Sequence, residues 1–165
     1  MKKIKSFKSL EKINIFCGKI SSFLILLLII LISLSVLLRY LFSIGFAWLQ
    51  DLYIWTHACF IMLGIAYTLN KNGHVRIDIF YRNFNKNTKK NIDLIGSIIF
   101  GLPLCYFLIF EGYEYFARSF LISEDSKETG GLPNIFILKF FIFFMGNLLF
   151  LEIMDKILKR FFKND

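Results

Sequence analysis

The residues best suited to chemistry stand together in "KNGHVRIDIFYR", residues 71–82, where His74, Arg76 and Asp78 alternate with Val75, Ile77 and Ile79. An imidazole, a guanidinium and a carboxylate are raw material for acid–base work or anion binding, provided that a pocket gathers them. Spacing of two puts all three on one face of an extended segment and the aliphatic residues on the other. The same alternation suits a chain lying on a membrane surface with its polar face in water. The other histidine, His57, stands inside the apolar run "WTHACFIMLGIAYTL". An ionisable group in such a run is a functional candidate by default. A haem ligand, however, needs a partner at matching depth, and His74 lies beyond the end of that run. His57 is therefore expected to be a neutral side chain that bonds a neighbouring helix. The sequence contains no HExxH, P-loop, GxSxG or CxxC motif, and Cys17, Cys59 and Cys105 lack metal-like spacing. No catalytic residue, metal or cofactor is expected, and the chain does not read as an enzyme.

The elements that must position these residues are set by composition. The 165 residues are 56% hydrophobic and 18% aromatic, which is too apolar for a soluble domain of this size. Four runs, about 20–38, 48–69, 92–110 and 135–154, approach the roughly 20 residues that a helix needs to cross a bilayer. Inside lipid the backbone must satisfy its own hydrogen bonds, so these runs are expected to be helices. The predicted fold is an all-α membrane protein, one membrane domain over residues 1–165 with four transmembrane helices. The first run is too long for a signal-peptide core, and "LLRYLF" follows it in place of a cleavage site.

The net charge of +8 is unevenly distributed. Lysines crowd residues 1–19. Lys71, Arg76, Arg82, Lys86, Lys89 and Lys90 crowd the second connector, and Lys156, Lys159, Arg160 and Lys163 the tail. The other two connectors, with their flanks, carry Arg39, Arg118, Lys127 and Lys139 against six acids: Asp51, Glu111, Glu114, Glu124, Asp125 and Glu128. Cationic connectors stay on the cytoplasmic side, which predicts both termini inside. The basic surplus fits anionic lipid headgroups and calls for no nucleic acid. Residues 1–19 place Ile4, Phe7 and Leu10 three apart among lysines, which predicts an interfacial amphipathic helix.

Candidate structural or partner-contact residues follow from helix ends and turns. Arg39 and Tyr40 close the first span, and Trp48 opens the second at headgroup depth. Arg39, Asp51, Arg76 and Asp78 are placed to be interfacial charges, with headgroup contact as the alternative for each. Gly130 and Gly131 permit a turn, and Pro133 suits the first turn of the fourth helix. Lys139 is expected to reach outward to Glu124 or Glu128. Glu152 lies near a helix end, where water is expected to reach it. Small residues, Gly64 with Ala66 and Ser97 with Gly101, predict close helix approaches.

Taken in order, "RYLF", "WLQDLYIW", "LGIAYTL", "KNGHVRIDIF", "SEDSKETGGLP" and "LKFFI" resemble the small membrane subunit of tripartite ATP-independent periplasmic (TRAP) transporters, the DctQ-like family, over roughly residues 20–155. The family often has Glu after the Trp of the second span; here Gln50 and Asp51 stand nearby, so an acidic role falls to Asp51. It often has Pro shortly after the Lys of the fourth span, where this chain has Phe143. The resemblance implies a large multi-span membrane subunit and a periplasmic solute-binding protein as partners, in the bacterial inner membrane. It also implies that the small subunit braces the large one during ion-driven uptake of an organic acid-like solute. The residues alone leave two other classes open. One is a self-sufficient small transporter, which needs a mid-membrane carboxylate. The other is a membrane anchor of a redox enzyme, which needs paired histidines.

Overall fold

The computed structural model describes residues 3–71, 73 and 84–162, with side chains for 12–71, 73, 84, 85 and 87–160 among them. Its elements, in chain order, are α1 (Lys3–Phe42), α2 (Ala47–Asn70), α3 (Lys86–Gly96), a π-helical turn (Ser97–Gly101), α4 (Leu102–Leu121) and α5 (Phe136–Phe162). No strand occurs among the described residues. Four helical stretches are long and apolar enough to cross a membrane: 12–42, 47–70, 87–121 and 136–160. The third is α3, the π turn and α4 run together.

α1 is a single helix from Lys3 to Phe42, with no break where residue 19 was expected to separate a surface arm from the first span. Asn14, Cys17 and Ser21 are buried along it, so at least this part faces other helices. The side chains of Ile4, Phe7 and Leu10 lie outside the described set. α2 stops at Asn70 with its C-cap Lys71 at φ −82°, and the Gly73 N–H closes back on the Thr68 carbonyl at 2.9 Å. The Asn85 side chain caps α3 by accepting from the Thr88 N–H at 2.8 Å.

The π turn has a covalent cause. Pro103 has no N–H to give the Ile99 carbonyl, and its ring crowds that carbonyl. The preceding turn widens, and the Leu102 N–H bonds the Ser97 carbonyl five residues back. The widened turn packs against α5, with Gly101 facing Ile153.

The helices form an open row. α1 packs along α2, α2 packs on α5, and α5 packs on α4, with a smaller contact between α1 and α5. Two small cores result. Cys17, Leu63, Ala66 and Leu148 join α1, α2 and α5. Cys105, Leu149 and Ile153, backed by Ile65 and Leu69, join α4, α5 and α2. α5 is the common member of both. α1 and the third span lie at the two ends of the row and leave most of their Leu, Ile and Phe side chains exposed. Such surface is ordinary when the solvent is lipid.

Candidate partner-contact surfaces

One end of the row carries the α1–α2 turn and the long loop between α4 and α5. Six of the predicted residues meet there. The Asp51 carboxylate, half-buried on α2, accepts from the Leu132 N–H at 2.8 Å and so ties the loop to the second span. The adjacent Gly131 has no room for a side chain, since a Cβ would run into the Asp51 and Ser126 oxygens. Gly130 takes a φ of +78°, which glycine adopts at little cost. The loop closes on itself through Ser126 N–H to the Leu132 carbonyl at 3.1 Å and Ile135 N–H to the Glu124 carbonyl at 2.9 Å.

Lys139 stands in the first turn of α5 with its side chain 9% exposed. Its ammonium meets the Glu124 carboxylate at 2.5 Å and lies 4.0 Å from the centre of the Tyr115 ring. The outward reach expected from sequence is realised, with Glu124 as the acceptor. The hydrogen bond from Lys139 holds the Glu124 carboxyl below its ordinary range. This pair anchors the loop to α5 just as Asp51 anchors it to α2.

Pro133 departs from expectation. It lies exposed in the loop, ahead of α5, whose first residue is Phe136. Asn134 intervenes with a φ of +63°, a left-handed conformation in which no helix can start, and its N–H bonds the Asp125 carboxylate at 2.8 Å. Arg39, Tyr40 and Trp48 are at the same end and exposed, Tyr40 at 80%, with the Trp48 ring 5.7 Å from Phe46. Gly64 is elsewhere, midway along α2, where its missing side chain leaves space for Ser21 of α1. Ser21 uses it to donate to the Phe60 carbonyl at 2.8 Å. His74, Arg76 and Asp78 lie outside the described residues.

The opposite end contains a cluster that the sequence did not reveal. Glu152 of α5 is 2% exposed, against the expectation that water reaches it. Its carboxylate accepts from Asn14 Nδ2 of α1 at 2.6 Å and from Asn70 Nδ2 of α2 at 3.0 and 3.2 Å. One turn further along α5, Lys156 donates to the Leu69 carbonyl at the end of α2, at 2.6 Å. Three spans are thus fastened by one buried carboxylate. Position near a helix end suggested access to water, but three helices converge at that end. The sequence offers only two asparagines far from Glu152 in the chain, with no local pattern that links them to it.

His57 also departs from expectation. It faces out of the row, and among the described residues it bonds no neighbouring helix; its ring stacks near Phe60, 6.4 Å between centres. The site geometry is therefore one of ties and surfaces. A shallow groove of 280 Å³ along α4, lined by Phe107, Leu108, Glu111, Gly112, Tyr115 and Ile142, opens outward. Among the described residues no three His, Cys, Asp or Glu side chains are grouped to hold a metal ion.

Comparison with curated proteins and with solved structures gives no match. The family model for the DctQ component of tripartite ATP-independent periplasmic transporters matches residues 28–163, which takes in part of the first span and all of the other three. A chain of four membrane-crossing helices with an internally tied loop, matched over that length, belongs to the DctQ family, the small membrane component of TRAP transporters.

Proposed function

We propose that this small permease subunit acts as a brace: it widens the fixed part of the transporter against which a large membrane subunit works. The observation that carries the reading is the open row. Asp51, Glu124 and Lys139 at the loop end are spent on tying the protein to itself, while long apolar faces stay exposed. A subunit built this way has surfaces to offer rather than an interior path for a solute.

In this reading both termini are cytoplasmic, and the basic start of α1 lies against the inner leaflet. The loop end, held to α2 and α5, faces the periplasm and helps to dock a solute-binding protein. The transported solute is an organic acid-like anion, and an ion gradient drives its uptake. Arg39, Asp51, Arg76 and Asp78 contribute orientation at helix ends. Co-purification in mild detergent tests the assembly. A large multi-span protein should come down with the tagged chain, and uptake in vesicles should require both. Uptake by this chain reconstituted alone would overturn the brace reading in favour of a self-sufficient transporter.

A further inference from the structure

α2 is the most enclosed of the first three spans, with α1 on one side and α5 on the other. From Gln50 to Asn70 its exposed positions are Gln50, Ile54, His57 and Ile61. They follow a spacing of four, three and four, which is one narrow seam along the helix and the pattern by which a helix receives a single partner helix. His57 stands ten residues into α2, ~15 Å along its axis, with a further ~20 Å to Asn70.

Several other polar side chains within the spans discharge their hydrogen bonds inside the protein. Thr56 donates to the Leu52 carbonyl, Thr68 to Gly64, Ser22 to Gly18 and Asn147 to Phe143, each one turn back on its own helix. A hydroxyl or amide can discharge its hydrogen bond in that way. The His57 imidazole does not: it points outward, and its Phe60 neighbour covers one ring face without accepting the ring N–H. Acyl chains offer no acceptor at that depth, and headgroups lie too far away. What covers His57 must bring its own polar atom to mid-membrane depth, and a transmembrane helix does so.

We propose that the Gln50–Ile54–His57–Ile61 seam seats one transmembrane helix of the large membrane subunit, which presents a hydrogen-bond acceptor to the His57 ring. The proposal rests on the reading above that this chain braces that subunit, and adds which surface does so. A second copy packed seam to seam in the same orientation would set His57 against His57, leaving one ring N–H of the pair without an acceptor.

The test uses the full chain co-expressed with the large subunit. A photo-reactive phenylalanine replaces Ile54 or Ile61 on the seam, or Ile29 on the exposed face of α1. Adducts with the large subunit are expected from the two seam positions and not from Ile29. If the large subunit co-purifies but reacts only through Ile29, or if the seam positions react with a second copy of this chain, the seam assignment is wrong and the brace reading stands. If no large subunit co-purifies, both are wrong. In the same background His57→Leu should lower the co-purified large subunit about 3- to 10-fold, and His57→Gln should keep it within about two-fold. Equal recovery with Leu and Gln would show that no hydrogen bond is made there and would overturn the proposal.

Discussion

Glu152 shows how much of this subunit's stability rests on single side chains. A carboxylate that is 2% exposed needs donors, and Asn14 and Asn70 supply them from two other helices. Removing it leaves both amides facing a buried gap, and each unsatisfied buried donor costs about 1–3 kcal/mol. Glu152→Leu should therefore lower the midpoint of thermal unfolding in detergent markedly. Glu152→Gln, which keeps an acceptor oxygen, should do so less. Size-exclusion after graded heating measures the difference, and a Leu variant as stable as the parent would show that the cluster is slack. The chemical types of Glu152, Asn14 and Asn70 were legible in the sequence, but their meeting was not. Asn14 and Glu152 are 138 residues apart, and no local pattern records a contact of that span. Lys139 and Glu124 are a contrasting case. They are 15 residues apart across one loop, and the reach of a lysine side chain sufficed to pair them.

At the scale of elements, α4 and α5 approach each other closely at two glycines. A Cβ at Gly146 would stand 2.9 Å from the Leu108 Cβ and 3.1 Å from its carbonyl carbon. At Gly112 it would stand 3.2 Å from the Phe143 backbone nitrogen. Backbone cannot swing aside as a side-chain tip can, so Gly146→Ala must push the two helices apart. Gly96 is the control, because a Cβ there meets nothing within 4 Å. Gly96→Ala should be neutral or stabilising by up to ~1 kcal/mol through helix propensity, and Gly146→Ala destabilising. Thermal midpoints in detergent would compare the two, and equal midpoints would mean that the helices are less closely packed than described. Small residues at Gly64, Ala66 and Gly101 were readable as packing positions, and each faces a neighbouring helix or is buried. Gly112 and Gly146 were not singled out, since a glycine among Phe and Leu looks the same whether it faces lipid or a helix. The π turn was likewise unannounced, although Pro103 was in plain view.

At the scale of the molecule, charge asymmetry carries the expectation for orientation. Cysteine placed at Lys127, exposed in the α4–α5 loop, should react with an impermeant thiol reagent added outside spheroplasts. Cysteine at Asn87, exposed at the start of α3, should react only after the membrane is opened. Cys17, Cys59 and Cys105 are buried or half-buried and should give a low background. The reverse pattern would invert the topology and move the proposed docking loop to the cytoplasm.

What the sequence determined by itself was the membrane class and the four helical spans. Those features follow from the length of apolar runs, in which each residue acts with its neighbours in the chain. The ordered motifs also sufficed for the family. The tertiary structure decided which faces of the helices are used. It made a row with α5 shared between two cores, fastened one end through Glu152 and the other through Asp51 and Lys139, and turned His57 outward. In lipid the inside and outside of a helix are equally apolar, so hydropathy does not mark the buried face. The choice then falls to a few polar bonds and close backbone contacts between residues distant in sequence, which only the assembled helices bring together.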